Sequence, residues 1–202
     1  MNKRNLFLYA ALTALSVSAT AQTMNVTRAG DTTIVKIAKS PKYLLLPIEE
    51  GKDEAQVILD NGKKTDTWMD VRLAQGKTDY YVSFKLNKGK TSVVKILNLK
   101  ADALALQKGQ LKLSNVWDVT NTDYYRPSYH HTPSYGWMND PVGMFYKDGV
   151  YHLCYQYNPY GSMWGNMHWG HAVSRDLIHW KEVEPTLQRD PMGHIFLSLI
   201  HI

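Results

Sequence analysis

The stretch GMFYKDGVYHLCYQYNP, from Gly143 to Pro159, predicts a β-hairpin and sets the fold class. Asp148 and Gly149 separate two runs of alternating apolar and polar residues, which is the strongest short-range signal for a hairpin. Successive side chains of a strand point to opposite faces, so the second run divides into two sets. These sets are Tyr151, Leu153, Tyr155 and Tyr157 on one face, and Val150, His152, Cys154 and Gln156 on the other.

Two further runs continue this sheet. HWGHAVS at 168–174 and IHWKEVE at 178–184 are separated by a turn around SRDL. Consecutive antiparallel strands joined by tight turns are typical of the start of a propeller blade. Glu182 and Glu184 are interpreted as side chains at an exposed strand end, and therefore not as candidates for a catalytic acid.

The preceding half of the chain has short apolar runs between loops rich in Gly, Asn and Lys. Regular spacing of this kind predicts an antiparallel sandwich. Pro47 is expected to place its strand at a sheet edge or to end it, and the segment after residue 100 is expected to contain one helical turn. The predicted strands are TTIVKIA, KYLLLPIE, AQVILD, MDVRLA, DYYVSFKL and SVVKILNL.

The second half is dense in aromatic residues, with all tryptophans except Trp68 between Trp117 and Trp180. Such density is typical of carbohydrate sites, because sugar rings stack on indoles and phenols. It is equally typical of a thick β core, since aromatic side chains dominate buried area. In the first half Trp68, Tyr80 and Tyr81 offer the same two interpretations.

The composition is that of a folded protein, with 44% hydrophobic and 20% charged residues. The formal net charge of +5 is small and scattered along the chain, which argues against a nucleic-acid partner. Cys154 is the only cysteine, so the chain has no intrachain disulfide framework.

The N-terminal residues are typical of a secretory signal peptide. Lys3 and Arg4 precede the apolar run LFLYAALTALSVSA, and Ala19 and Ala21 are placed for cleavage before Gln22. A membrane anchor is the alternative, but the run is short for a bilayer. We therefore expect an exported protein (periplasmic, cell-surface or extracellular) with no integral membrane segment after signal cleavage.

The stretch GWMNDPVG at 136–143 holds the candidate reaction centre. Pro141 biases Asp140 towards an extended backbone and has no amide hydrogen for a strand ladder. A carboxylate fixed in this way beside Trp137 and Asn139 suits a nucleophile that attacks an anomeric carbon. The same residues also suit an ordinary Asn-Asp-Pro turn, so the motif alone leaves both interpretations open.

The surrounding sequence favours the nucleophile. YRPSYHHTPSYGWMNDPVGMFYKDGVYHLCYQYNPYGSMWGNMHWGHAVSRDLIHW resembles the start of the catalytic domain of glycoside hydrolase family 32, which holds invertases, levanases and inulinases. The resemblance runs from about Tyr125 to Phe196, and the preceding segment is similar to a small β domain found in some secreted bacterial members. Together with the strand pattern and the N-terminal segment, it predicts an all-β chain with a signal peptide at 1–21, a β-sandwich accessory domain at 22–116 and the first blade of a five-bladed β-propeller at 117–202.

The resemblance implies roles residue by residue. Asp140 matches the catalytic nucleophile, and Asn139 matches a substrate-contacting asparagine. Gln156 matches a glutamine that binds the fructosyl unit, and Trp164 matches a tryptophan that shapes the same pocket. Val142 departs from the family pattern, in which an asparagine follows the proline.

The implied activity is retaining hydrolysis of β-fructosidic bonds in fructans or sucrose. One carboxylate attacks the anomeric carbon, and a second, protonated one donates to the leaving oxygen. The reaction needs no cofactor and no metal, and His168 and His171 are interpreted as structural residues rather than metal ligands. A non-catalytic fructan-binding protein is the alternative.

The resemblance places the acid/base glutamate downstream of this sequence, so we expect the 202-residue chain to lack hydrolase activity. Arg189-Asp190-Pro191 imitates another motif of the family but comes too soon after Asp140, and we assign it to a variable loop. After GHIF the family continues with Ser-Gly-Ser, whereas residues 197–202 read LSLIHI. We therefore expect the natural protein to be longer and this last stretch to be foreign to it.

Overall fold

The computed structural model describes residues 23–62, 66–118, 127 and 130–197. The predicted signal peptide at 1–21 and the last residues, 198–202, lie outside these ranges. Where the structure describes the chain, it contains twelve strands and one short 3₁₀ helix, which confirms the all-β prediction. No helix in these ranges is long and apolar enough to cross a membrane.

The first eight strands form a sandwich of two antiparallel sheets. The larger sheet has the strand order β1-β2-β7-β4-β5, and the smaller sheet has the order β6-β3-β8. The strands are β1 (Met24–Ala29), β2 (Thr32–Ile37), β3 (Tyr43–Ile48), β4 (Ala55–Asp60), β5 (Thr67–Val71), β6 (Tyr80–Lys85), β7 (Ser92–Leu97) and β8 (Lys112–Ser114).

Alternation of apolar and polar residues explains the sandwich. In β4, for example, Val57 and Leu59 are buried while their neighbours are only half-buried. Leu44, Leu46 and Ile48 of the smaller sheet meet this layer from the other side. Each such side chain contributes roughly 1.5–3 kcal/mol when it is removed from water, so the core lies between the two sheets.

The remaining strands form one antiparallel sheet in the order β12-β11-β10-β9, which is the arrangement of a propeller blade. Its strands are β9 (Trp137–Lys147), β10 (Val150–Asn158), β11 (His168–Ser174) and β12 (Trp180–Leu187). The predicted hairpin is confirmed: Asp148 and Gly149 have φ angles of 51° and 80°. Positive φ at both central residues is the signature of a type I′ turn, which matches the twist of the flanking strands.

One face of the blade packs on the sandwich. Tyr155 and Tyr157 of β10 are fully buried in a cluster with Tyr43 of β3 and Trp117. The rings of Tyr43 and Trp117 meet edge to face, with centroids 5.5 Å apart, a geometry that aromatic quadrupoles favour. For these residues the aromatic density of the sequence therefore reflects a core.

The structure differs from the sequence-based expectations at Pro47 and in two additional strands, and it confirms the expected helical turn. Pro47 lies on the central strand of the smaller sheet rather than at an edge, because β8 pairs only with the first half of β3 and leaves one side of Pro47 without a strand partner. The expected helical turn is the 3₁₀ helix Leu104–Leu106. The sequence analysis also missed β1, whose residues are mostly exposed, and the very short β8.

A substitution at Gly170 offers a test of the side-chain packing in the blade. This glycine lies on β11 directly across from Tyr155, and a β-carbon at this position would overlap the tyrosine ring. Because Tyr155 is fully buried and its ring would have to shift, we expect Gly170→Ala to lower the free energy of unfolding by about 1–3 kcal/mol. Urea denaturation measures this change.

Gly143→Ala is the matched control, since a β-carbon on Gly143 of the same sheet would meet nothing within 4 Å. Equal unfolding midpoints for the two variants would contradict the described position of the Tyr155 ring.

Candidate functional site

The predicted nucleophile lies at an irregularity in the pairing of β9 with β10. Tyr155 pairs with Pro141 and Tyr157 pairs with Met138, so a single residue of β10, Gln156, lies opposite two residues of β9, Asn139 and Asp140. Two residues facing one is the definition of a β-bulge, and bulges re-aim side chains beside functional sites. The bulge therefore brings three of the four predicted site residues to one place.

Asn139 and Gln156 are held by hydrogen bonds. The indole Nε1 of Trp137 donates to Oδ1 of Asn139 at 3.0 Å. Gln156 is only 2% exposed, and its Nε2 donates to the carbonyl of Ile195 at 3.1 Å. Asp140 is exposed, so its carboxylate is open to a ligand.

Trp164, the fourth predicted residue, lies in an aromatic group with His194 and Phe196. The ring of His194 is 5.7 Å from that of Trp164 and 5.6 Å from that of Phe196, and both pairs are within 21° of parallel. Trp164 and Phe196 remain more than half exposed. Since Gln156 binds the backbone of Ile195, between His194 and Phe196, this aromatic group adjoins the bulge.

His194 is a site residue that the sequence analysis missed. Its Nδ1 accepts a hydrogen bond from the backbone N–H of Met167 at 3.0 Å. Burial lowers the pKa of His194, and the positive charge of Arg189 lowers it further. The imidazole is therefore neutral near pH 7, and its Nε2 carries the proton as a hydrogen-bond donor.

Val142, the residue that departs from the pattern of the resemblance, occupies a second interruption of the same strand pair. Cys154 pairs with Gly143 and the next residue of β10 pairs with Pro141, so Val142 has no partner residue on β10. An unpaired position tolerates a change of side chain without loss of a cross-strand pair.

His168 and His171 diverge, because they are three positions apart on one strand. His168 is buried, its Nδ1 donates to the carbonyl of Asn166, and its ring contacts Tyr160. His171 instead hydrogen-bonds His152, with 2.9 Å between Nε2 of His171 and Nδ1 of His152. The two histidines therefore do not converge on a common ligand.

Glu182 corrects a sequence-based interpretation. It is buried rather than exposed, at 8% of its free area, and its carboxylate accepts hydrogen bonds from the Ser134 N–H and the Tyr157 hydroxyl. Glu184 is half-buried and forms an ion pair with Lys42 of the sandwich. Glu184 thus joins the blade to the sandwich, whereas Glu182 binds residues that lie after position 130. The sequence pattern could not reveal these contacts, because the partners are remote along the chain.

Arg189 also has a structural role that its sequence context did not predict. It is 5% exposed, its Nη1 donates to Oδ1 of Asn166 at 2.9 Å, and its guanidinium lies 3.7 Å from the ring centroid of Trp68. The adjacent Asp190 pairs with Gly193 in an isolated bridge.

The three aromatic residues of the sandwich that could stack on a sugar each contact another residue of this chain. The Trp68 ring is covered by Arg189, and the Tyr80 ring stacks on Tyr135 with centroids 5.7 Å apart. The ammonium of Lys112 lies 3.8 Å from the centroid of Tyr81. These contacts favour the structural interpretation of all three residues of the sandwich.

Comparison with known families divides the chain in two. Residues 29–129 match a domain of unknown function (DUF4980), and residues 130–195 match the glycosyl hydrolases family 32 N-terminal domain. All four predicted site residues lie in the second range.

Individual relatives match parts of the chain. A levanase of Bacillus subtilis (strain 168) is 54% identical over 83 residues, which are 39% of this chain and 12% of the levanase. An acid beta-fructofuranosidase of Solanum lycopersicum is 51% identical over 72 residues, covering 36% of this chain and 11% of the relative. The solved structure of a glycoside hydrolase family 32 protein from Bifidobacterium adolescentis is 28% identical, with a TM-score of 0.32, over 75% of this chain and 27% of that protein. The matched part thus spans a small share of each relative.

The buried His168 generates a prediction about acid stability. Burial lowers its pKa from 6.5 to about 3. Between those values the unfolded chain binds a proton that the folded chain does not, so stability falls as the pH drops from about 6.5 towards 3. We expect the free energy of unfolding to lose up to about 1.4 kcal/mol per pH unit from this one group.

His168→Asn keeps a side-chain donor for the Asn166 carbonyl and removes the titration. Urea denaturation between pH 4.5 and 6 should show a slope against pH that is smaller by about one proton for this variant. The unaltered chain, measured over the same pH range, gives the reference slope. If His168→Asn kept that reference slope, the neutral buried state of His168 would be disproved.

Proposed function

The chain belongs to the DUF4980 family over residues 29–129 and carries part of a glycosyl hydrolases family 32 N-terminal domain at 130–195, and from this we propose that the protein containing it hydrolyses β-fructosidic bonds in fructans or sucrose with retention of configuration. The bulge that sets Asn139 and Asp140 opposite Gln156 carries the proposal. The names of the relatives, a levanase and a beta-fructofuranosidase among them, support this substrate class.

Asp140 is the proposed nucleophile. It is exposed at the bulge, and its neighbours offer amide groups rather than cations, so the carboxylate is available to attack the anomeric carbon. Attack forms a fructosyl ester on Asp140 and releases the leaving alcohol, and water then cleaves the ester to free fructose. Asn139 and Gln156 supply hydrogen bonds to sugar hydroxyls, and Trp164 provides an apolar ring face.

A second, protonated carboxyl is required roughly 5 Å from the first in a retaining glycosidase. Glu182 is engaged by the hydroxyl of Tyr157, and Glu184 by Lys42 of the sandwich. We therefore propose that the acid/base group lies on strands beyond this chain, and that the 202-residue chain releases no fructose by itself. Fructose release from levan by this purified chain would overturn that part of the proposal.

A fructan-binding protein without catalysis is the second candidate. Val142 favours it, because the residue removes a polar side chain from the motif. This candidate predicts binding of fructan oligosaccharides with no release of fructose, even by the complete natural protein.

Export is part of the proposal and rests on the basic and apolar segments that precede Gln22. Mass spectrometry of the exported protein should give an N-terminus at Gln22. An exported form that retains residues 1–21 would contradict the proposed cleavage.

The decisive variant is Asp140→Asn in the complete natural protein. We expect the rate of fructose release from levan, inulin or sucrose to fall by roughly 10³-fold or more, a scale typical of removing a nucleophile. Binding of a fructan oligosaccharide, measured by calorimetry, should persist, because the amide keeps the shape of the carboxylate.

Asp148→Asn is the matched control. It makes the same chemical change in the hairpin turn of the same sheet, where φ is 51° and asparagine is tolerated. A protein that hydrolyses fructans equally well with Asp140→Asn would refute the assignment of the nucleophile. A protein that binds but never hydrolyses would establish the fructan-binding alternative.

A further inference from the structure

The loop at 159–167 carries Trp164 and is held by the sandwich at three points. Tyr160 is buried in the sandwich core, with its ring against Phe84 at a centroid distance of 6.2 Å. The backbone N–H of Ser162 donates to Oε1 of Glu50 at 3.0 Å. The third point is Asn166, two residues beyond Trp164.

Asn166 binds the edge of the larger sheet as another strand would. Its Oδ1 accepts from the backbone N–H of Asp70 at 3.0 Å, and its Nδ2 donates to the carbonyl of Asp70 at 2.8 Å. Asp70 lies on β5, the last strand of that sheet, where backbone groups lack a neighbouring strand. One side-chain amide therefore satisfies both backbone groups of the same residue.

Two further contacts fix the amide of Asn166. Its Nδ2 also donates to Oδ1 of Asn158, the last residue of β10, at 3.3 Å, and Nη1 of Arg189 donates to its Oδ1 at 2.9 Å. The guanidinium of Arg189 stacks in turn on Trp68, also on β5. Asn166 and Arg189 are at most 5% exposed, so these bonds are shielded from water and are stronger than surface bonds.

Trp164 is 55% exposed, and its contacts combine ring stacking with the attachments of its loop. Its ring stacks with those of His194 and Phe196, and the carbonyl of the preceding Met163 accepts a hydrogen bond from Nδ2 of Asn158 at 2.8 Å. Ser162 and Asn166, on either side of the indole, both bind the sandwich, so these two attachments set the course of the backbone that carries Trp164.

We infer that the N-terminal sandwich is a positioning domain for the sugar site, and that Glu50 and Asn166 are the positioning residues that hold Trp164 in place. The inference rests on the proposed function in one respect, namely that Trp164 contacts the sugar. It assigns the sandwich an indirect part in recognition, through the 159–167 loop, rather than a sugar site of its own.

The test uses the 202-residue chain labelled with 5-fluorotryptophan, so that Trp164 reports its own environment by ¹⁹F NMR. Trp164→Phe identifies its signal. Asn166→Gly removes the amide from the sandwich edge without adding backbone strain, because φ at this residue is 39° and glycine adopts such angles freely. We expect the Trp164 signal to shift or broaden.

Hydrogen exchange gives a second measurement of the same change. Loss of the bonds to Asp70 and Asn158 should raise the exchange of amides within 159–167 roughly tenfold, while the core strands exchange as before.

A substitution in the sandwich itself distinguishes positioning by the sandwich from damage caused by altering the loop sequence. Glu50→Ala removes the acceptor for Ser162 and should also alter the Trp164 signal. Glu50→Gln retains an oxygen that can accept this bond and should restore the signal of the unaltered chain.

Glu184→Gln is the matched control, since it weakens the contact between Lys42 and Glu184, which joins sandwich and blade through β12 instead of the 159–167 loop. It should leave the Trp164 signal unchanged. Unchanged signals in both Asn166→Gly and Glu50→Ala would overturn the inference, as would an equal change in Glu184→Gln. These readouts need no fructan, so failure of the proposed hydrolysis, shown by the Asp140→Asn experiment, is recognised separately.

Discussion

The candidate site depends on one irregularity, the bulge where Gln156 opposes both Asn139 and Asp140. In a regular strand, two consecutive residues point to opposite faces, so an asparagine and an aspartate in sequence could not act on one ligand. The extra residue bends β9 and re-aims its side chains. Pro141 contributes to this bend, because it lacks the amide hydrogen that a regular ladder would use at that position.

Strand β10 serves the fold with one face and the site with the other. Tyr155 and Tyr157 are fully buried against the sandwich, and the hydroxyl of Tyr157 donates to the carbonyl of Tyr135 at 2.8 Å. Gln156, between them, points away and binds the backbone of Ile195. Because burial of the two tyrosines fixes the register of the strand, it also fixes where the glutamine amide lies.

Local pattern was sufficient for most strands and for the hairpin, since alternation and the Asp148-Gly149 turn are properties of neighbouring residues. It failed where burial depends on a remote partner. Glu182 was interpreted as exposed because a charged residue at a strand end usually is, yet Tyr157 and Ser134 bury it. Asn166 binds a residue 96 positions away, and no periodicity could indicate such a contact. The site residues themselves were found by resemblance, since the Asn-Asp-Pro motif alone is also that of an ordinary turn.

The aromatic residues of the sandwich show how the N-terminal half of the chain contacts the loop that carries Trp164. A surface tryptophan can stack on a sugar only through an open ring face, and one face of Trp68 is occupied by Arg189 at 3.7 Å. The same arginine binds Asn166, whose loop presents the open ring of Trp164. Trp68, which could otherwise stack on sugar, is thus linked through Arg189 to the loop of the candidate sugar site. These contacts support our proposal that the sandwich and the blade act as one functional unit, although their sequences match separate families.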